Sequence, residues 1–384
     1  MPLVLQILTI SAFVLSAIYI ILIFFFYLGF RKLKSHELKE DKDLPDLTVI
    51  VCAKDEEEHI EKTINSILVQ DYPKNKYSII AVNDRSDDKT PDLLNALASK
   101  NDNMKVIHIS DSPADVSPKK NAIAQAIKLC ETDFVVATDA DAVHQKLWLR
   151  SYGSLCEDKL GAATAVSLFS KEKFDNSFEE TWQSMQTLEN LSHNVIIAGA
   201  MANNIAIAAN GSNMLYRKDL FNKASSRKNI VSGDDSDIIF EAERQGYQLK
   251  FNSHPEALVK LVPEDSIRGV INQRMRWASK TLKSSFSVIF LGLSVFFFYL
   301  SILILPFFAF VDPKVLIYWA GIVFIKAICD FFYMTVSLKK FQVVYKFKHL
   351  FLMELVHAPF IVWVGLRGTF GKFTWKGSTY KKTL

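Results

Sequence analysis

Cysteine is scarce in this chain, and what there is stands apart. The four cysteines among 384 residues, Cys52, Cys130, Cys156 and Cys329, show no paired spacing. That excludes a disulfide framework and a cysteine-based zinc site, and it fits a reducing compartment. Internal repeats and low-complexity segments are absent too, which excludes a solenoid. Charge is missing altogether from two long stretches, Leu3 to Phe30 and Ser284 to Val311. Each is longer than the roughly 20 residues that cross a hydrocarbon core, so the chain reads as a membrane protein with a water-facing middle. The first stretch has no basic residue ahead of it and no small-residue cleavage site before Arg31-Lys32-Leu33-Lys34. It therefore reads as a retained anchor and not as a signal peptide.

What is present is informative by its placement. The net charge of +4 says little by itself. Arg31, Lys32 and Lys34 follow the first apolar stretch, and Arg274, Arg276, Lys280 and Lys283 precede the second. By the positive-inside rule both flanks, and the domain between them, are expected in the cytoplasm, with the spans in the cell (inner) membrane. Basic residues gathered at membrane flanks give no sign of nucleic-acid binding. Farther on, Val315 to Leu338 is apolar but contains Lys326 and Asp330, which share a helix face and can pair. Leu350 to Leu366 is short and contains Glu354, His357 and Pro359; Arg367, Lys372, Lys376, Lys381 and Lys382 form a basic tail after it. Four full crossings would carry that tail outside, against the charge rule, so this last segment is expected to be re-entrant or interfacial. The expected organisation is an anchor over 1–31, a soluble domain over 32–265, an amphipathic interfacial helix over 266–283 and a membrane region over 284–384.

The soluble part alternates apolar runs with helical patterns. Strands are expected at Leu47–Ala53, Tyr77–Val82, Lys105–Ile109 and Phe134–Thr138. Helices between them run from the Asp55–Ile60 opening to Val69, over Thr90–Ser99 and over Lys119–Leu129. This alternation predicts an α/β fold: a mostly parallel sheet with helices on both faces. In the second half, Leu160–Phe169 reads as one strand and Ser177–Ile197 as a long helix. The turn Asn210-Gly211-Ser212-Asn213 precedes a strand at Met214–Arg217. Ser236–Gln245 reads as a helix ending at Gly246, and Leu249–Asn252 and Ala257–Val262 as short strands. Ligands in such sheets bind at the carboxyl ends of the strands. Polar clusters stand there: Lys54-Asp55-Glu56, Asn83-Asp84 and Asp139-Ala140-Asp141.

Each cluster admits a plain and a chemical reading. Asp139 and Asp141 repel unless a cation lies between them, and hard oxygen ligands suit Mg²⁺ or Mn²⁺; a solvated, helix-capping loop explains the same pair. The small Ala140 between them would leave room beside a cation. Asp84 suits a nucleobase N–H or a ribose hydroxyl, or a simple turn. Lys119 and Lys120 open a helix and suit a phosphate, or solvent. Ser232-Gly233-Asp234-Asp235-Ser236-Asp237 suits a helix N-cap, or a general base on a glycine-containing loop. Gln273, Arg276 and Trp277 share one face of an amphipathic helix that suits a membrane surface.

Taken in order, these motifs resemble the membrane-bound family 2 glycosyltransferases. Val82 to Thr90 is similar to that family's VDDGSxDxT stretch, Pro118 to Ile123 to its GKxxAL, and Thr138 to Asp141 to its D-x-D. Gly233-Asp234-Asp235 is similar to its acidic pair and Gln273 to Trp277 to its Q-x-x-R-W, with a trailing echo at Trp375-Lys376-Gly377. The departures are Lys54-Asp55 in place of Tyr-Asn or Arg-Asn, Asn83 for the first Asp, Arg85 for Gly, and Asp234 for Glu. The resemblance implies a GT-A domain, a nucleotide-diphosphate sugar donor (a UDP-sugar first among them) and Mg²⁺ or Mn²⁺ on Asp141 and Asp139. It implies Asp235 as catalytic base of an inverting transfer. Asp55, Glu56, Asp84, Lys119, Asp139, Asp234, Gln273, Arg276 and Trp277 would contact the substrates. A lipid, lipid-linked or short-glycan acceptor is the first expectation. A processive polysaccharide synthase is the second, and an inactive envelope-assembly scaffold a distant third.

Overall fold

A computed structural model describes residues 2–111, 117–170, 173–224, 233–375 and 378–381. Ser232, ahead of the acidic pair, Lys376 and Gly377 of the trailing echo, and Lys382 of the tail lie outside the described residues. The chain forms two compact units. A sheet unit comprises Gly29–Glu172 and Ile196–Pro263; a helical unit comprises Met1–Leu28, Lys173–Val195 and Glu264–Leu384. The stretch Lys173–Val195, expected inside the soluble domain, thus groups with the helical unit.

The elements in chain order begin with α1 (Leu3–Lys32), β1 (Leu47–Ala53), α2 (Ile60–Leu68), β2 (Tyr77–Asp84), α3 (Thr90–Ala98), β3 (Met104–Ile109), α4 (Pro118–Leu129) and β4 (Phe134–Asp139). Next come β5 (Val143–His144), α5 (Trp148–Gly153), β6 (Leu160–Ala165), β7 (Ser167–Phe169), α6 (Ser177–Met201), β8 (Asn213–Arg217) and α7 (Lys218–Ala224). They are followed by α8 (Asp234–Arg244), β9 (Gln248–Asn252), β10 (Val259–Leu261), α9 (Ile267–Ala278), α10 (Phe286–Ile304), α11 (Val315–Lys340), α12 (Phe347–Phe370), β11 (Lys372–Trp375) and β12 (Ser378–Lys381).

In the sheet unit the strand order is β3-β2-β1-β4-β8-β6-β9. The first four strands are mutually parallel, and β8 runs antiparallel to both β4 and β6. β1 shows why: Leu47, Val49, Val51 and Ala53 face a core with Ile60, Ile64 and Ile67 of α2 and Trp148 and Tyr152 of α5. The alternate residue Ile50 is equally buried, and α4 packs against β1 and β2. A strand covered on both faces must be apolar at every position, and this one nearly is. The chain order β1, β2, β3 winds one way and the return to β4 the other. The order therefore reverses between β1 and β4, the place where sheets of this kind bind their ligands.

Three expectations change. Leu160–Phe169 is two strands in two sheets. The Val166 carbonyl between them accepts from Val259 N at 3.0 Å and from Asn213 Nδ2 at 2.9 Å, so β7 leaves β8 and joins β10. The strand expected at Ala257–Val262 starts at Val259, because Pro255–Ala257 is a 3-10 turn closed by Glu256 N donating to His254 Nδ1. The helix expected at Ser236 starts at Asp234, since Gly233 takes the left-handed φ of 111° that glycine adopts without strain.

Among the described residues, four helices are long and apolar enough to cross a membrane by length and composition: Leu3–Lys32, Phe286–Phe310, Val315–Lys340 and Phe347–Phe370. The expected Lys326–Asp330 pair forms at 2.7 Å. The last segment is not short; α12 is a continuous helix of 24 residues. Its polar residues do not break it because they have partners: Glu354 meets Lys326 at 2.5 Å, and His357 Nδ1 lies 3.4 Å from the Tyr299 hydroxyl. α9 ends at Ala278, short of the expected Lys283.

Candidate active site

The parallel register builds the site in the sheet unit. Cys52 stands opposite Val82 on β2 and Asp139 on β4, and Asp84 lies two residues past Val82. Residues in register, and residues two apart, share a face. Cys52, Asp84 and Asp139 therefore line one side of the strand ends. α4 opens there with Pro118 in its first turn, where a missing N–H is harmless. The next residue, Lys119, donates from Nζ to Asp139 Oδ1 at 2.6 Å. Burial opposes the Lys119 charge, but Asp139 and then Asp234 outweigh it and hold its pKa above the ordinary lysine value. Burial, with Asp234, Asp139 and Asp84 adding to it against Lys119, pushes the Cys52 thiol up to about 12. That thiol stays protonated and is no nucleophile.

Asp84 is 5% exposed and accepts from Arg85 Nε at 2.8 Å. Arg85 adopts φ 55°, the left-handed conformation natural to the glycine that the resembled motif has here. Asp55, also left-handed at φ 53°, accepts on Oδ1 from Asp87 N at 2.9 Å and donates from its own N to Ser86 Oγ at 3.0 Å. Glu56 N donates to Thr90 Oγ1 at 2.8 Å. The loop after β1 is thus stitched to the loop after β2, which gives Asp55 and Glu56 a structural part that the sequence did not disclose.

The two acids of D-x-D stay partly exposed at the end of β4 while Ala140 is 3% exposed and packs into the core with Ala142. Thr63 Oγ1 donates to the Ala140 carbonyl at 2.7 Å. A larger side chain at this position would have to displace that core. Behind the pair, Thr138 Oγ1 donates to the Ser212 carbonyl at 2.9 Å and lies 2.8 Å from His144 Nε2. Two carboxylates fit a hard divalent cation. Among the described residues no group of three or more His, Cys, Asp or Glu side chains could hold a metal ion. A cation on these two carboxylates would need its remaining ligands from a bound phosphate or water.

Asp234 and Asp235 occupy the first turn of α8, not a loop, where the helix dipole favours carboxylates. Asp235 Oδ1 accepts from Ser236 N at 2.7 Å. Its carboxylate abuts the turn before β8: a Cβ built on Gly211 would lie 3.2 Å from Asp235 Oδ2. A side chain at Gly211 would press on that carboxylate.

Gln273, Arg276 and Trp277 lie on α9, in the helical unit. The surprise there is Arg274. Counted with the exposed basic flank, it is 2% exposed and donates from Nε to both carboxylate oxygens of Glu189, at 3.0 and 2.8 Å. Burial raises the Glu189 pKa, but the Arg274 charge more than reverses this and holds it below the usual value. The Arg274 guanidinium lies 4.3 Å from the centre of the Trp277 ring, and the His193 ring meets that indole edge-on at 5.7 Å. Gln273 Nε2 donates to Glu264 Oε1 at 3.3 Å. Glu189 and His193 carry no motif; only the helical period of α6 could have pointed to them.

A mostly parallel, doubly wound sheet with acids at the ends of its first, second and fourth strands is the arrangement expected of a GT-A glycosyltransferase domain. The comparison with known proteins agrees: the chain belongs to the family described as glycosyltransferase like family 2, which it matches over residues 45–280. It is 25% identical over 276 residues to a probable glycosyltransferase of Bacillus subtilis, YdaM, covering 69% of this chain and 64% of that one. It is 24% identical to the beta-monoglucosyldiacylglycerol synthase of Trichormus variabilis, covering 65% of this chain and 52% of the relative. It is also 24% identical to the poly-beta-1,6-N-acetyl-D-glucosamine synthase of Staphylococcus aureus, covering 62% and 54%. The match therefore spans less than two thirds of each of these relatives. Among solved structures, the mannosyltransferase PcManGT of Pyrobaculum calidifontis, in complex with GDP-Man and Mn²⁺, shares the fold. Its TM-score is 0.55 at 16% identity, over 95% of this chain and 97% of that one.

Proposed function

We propose that the protein transfers a sugar, with inversion, from a nucleoside-diphosphate sugar to a lipid, lipid-linked or short-glycan acceptor at the cytoplasmic face of the cell membrane. The observation that carries this reading is the meeting of Lys119 with Asp139, with Asp84 and Asp234 close about them, at the ends of β1, β2 and β4. A cation and several acids around one strand-end crevice suit a nucleotide diphosphate.

Asp84 holds the nucleoside, and Asp141 with Asp139 would hold Mg²⁺ or Mn²⁺. When bound, such a cation neutralises the diphosphate as it leaves. Lys119 adds a fixed positive charge beside the same phosphates. Asp235 takes the proton from the acceptor hydroxyl as that oxygen bonds to the anomeric carbon, opposite the breaking bond to the diphosphate. One C–O bond forms, one breaks, and the anomeric configuration inverts. The parts of Gln273, Arg276 and Trp277, phosphate and acceptor contact, rest on the resemblance of their motif alone.

The membrane placement follows the same lines. Both ends of α12 meet elements of the helical unit outside the apolar helices. Lys346, at its start, pairs with Glu180 of α6; at its end, Gly368 lies against Met275 and Ala278 of α9. Beyond it, Thr374 N donates to Asn272 Oδ1 at 3.4 Å. An α12 that starts on α6 and finishes on α9 suits a helix lying in the interface, with the tail on the α9 side. A cysteine at Lys372 in a chain cleared of native cysteines should label only from the cytoplasmic side; labelling from outside would make α12 a full span.

The test of the activity is purified protein in detergent with Mn²⁺ or Mg²⁺ and a panel of UDP- and GDP-sugars, read as nucleoside diphosphate release. Release from one donor, with a UDP-sugar expected, supports the reading, and no release from any overturns it. A processive synthase is the second reading, favoured by the Staphylococcus aureus relative. Its product would run as a ladder on a sizing gel, where a single-sugar product is expected here.

A further inference from the structure

Lys120 follows Lys119 in the first turn of α4, and Asp237 follows Asp235 by two residues in the first turn of α8. Their side chains form an ion pair, Nζ to Oδ2 at 2.7 Å, with the lysine 5% and the aspartate 7% exposed. The two residues are 117 positions apart in the chain. They line a small cleft with Phe221, Ala224 and Asp234, and α7 packs against both α4 and α8.

Such a pair is a poor choice for stability alone. Desolvating two charges offsets most of their attraction, and apolar residues of similar volume often serve as well or better. What an ion pair adds is direction: one nitrogen, one oxygen, one register between two helices. Here the helices in question carry the site. α4 presents Lys119 to Asp139, and α8 presents Asp234 and Asp235. Asp237 is itself anchored at the start of α8, since its N–H donates to the Gly233 carbonyl at 2.8 Å.

We infer that Lys120 and Asp237 are positioning residues for the transfer: their buried pair fixes the first turn of α8 against α4 and so places the Asp235 carboxylate. This rests on the reading of Asp235 as the base. Losing the placement should act on the chemical step and spare donor binding, because Asp84, Lys119 and Asp139 stay where they are.

The test compares Lys120→Met, Asp237→Asn, the double variant Lys120→Met/Asp237→Asn and Lys120→Arg with the parent, all full-length in detergent. Each is read by steady-state nucleoside diphosphate release with Mn²⁺ and the donor found active in the panel, and by the melting temperature. Either single change should lower kcat by about 10- to 100-fold, the scale of a misplaced catalytic group, with donor KM moved by less than about threefold. The double variant, with no uncompensated charge, should melt near the parent and keep the low kcat. Lys120→Arg, which keeps the pair, should regain most of the rate. A double variant that recovers melting and kcat together would make the pair merely structural and overturn the inference. So would single variants with parental kcat. Should a single variant fail to fold, the double variant decides. Asp235→Asn is run in parallel: normal turnover there removes Asp235 as base, whatever the pair does, and so separates the two failures.

Discussion

Each of the two units buries a lysine, and the two are used differently. In the sheet unit Lys120 meets Asp237 between the starts of two helices that carry site residues. In the helical unit Lys326 meets two carboxylates, Asp330 at 2.7 Å and Glu354 at 2.5 Å. The Tyr19 hydroxyl donates to Asp330 at 2.5 Å, and the Tyr299 ring lies 5.1 Å from the Lys326 ammonium. The second cluster ties α1, α10, α11 and α12 together. Where such helices meet lipid the hydrophobic effect between them is lost, and packing together with polar ties takes its place. A buried lysine thus orients a site in one unit and assembles helices in the other.

That contrast breaks most sharply where function and stability part. Asp141→Ala should reduce nucleoside diphosphate release by about 10³-fold or more, the loss of several kcal/mol of charge stabilisation. Its melting temperature should hold or rise, because Asp139 and Asp141 no longer repel. A large fall in melting would show the acid to be structural. In the helical unit the opposite is expected. Lys326→Met leaves two acids without their cation and should destabilise by about 3–5 kcal/mol, read by unfolding in detergent; parental stability would remove Lys326 as the tie.

The smallest effect, taken per unit of pH, concerns a buried histidine. His144 is buried between Ser66 and Thr138, and burial lowers its pKa from 6.5 to about 3. The neutral ring is the one that fits. As pH falls below 6.5 the unfolded chain takes up a proton that the folded chain refuses, so stability is lost with acidification until about pH 3. The slope this group contributes is at most about 1.4 kcal/mol per pH unit. His144→Gln should flatten the acid limb of the stability profile; an unchanged limb would show that His144 titrates normally.

The sheet unit was legible because its physics is local. A strand buried on both faces must read as an unbroken apolar run, and β1, β2 and β4 do, so their polar ends could be located to within two residues. Asp84, Asp139 and Lys119 follow from that placement. What escaped depends on partners far along the chain. Lys120 reads as solvated until Asp237 arrives, and Arg274 reads as an interfacial charge until Glu189 buries it. α12 reads as short because Glu354, His357 and Pro359 interrupt its apolar run; Lys326 and Tyr299, which partner Glu354 and His357, lie far away in the chain. β7 and β10, three residues each, are too short to carry a pattern. The start of α8 was misplaced by two residues, since acids suit a loop and a first helical turn equally.

The central claim is that Asp235, placed by the first turn of α8, removes the acceptor's proton. The most direct measurement is Asp235→Asn, assayed for donor binding and for sugar transfer in the same preparation. The expected result is donor affinity within about threefold of the parent and turnover lowered by about 10²- to 10⁴-fold, the range of a general base. Parental turnover in that variant would contradict the account.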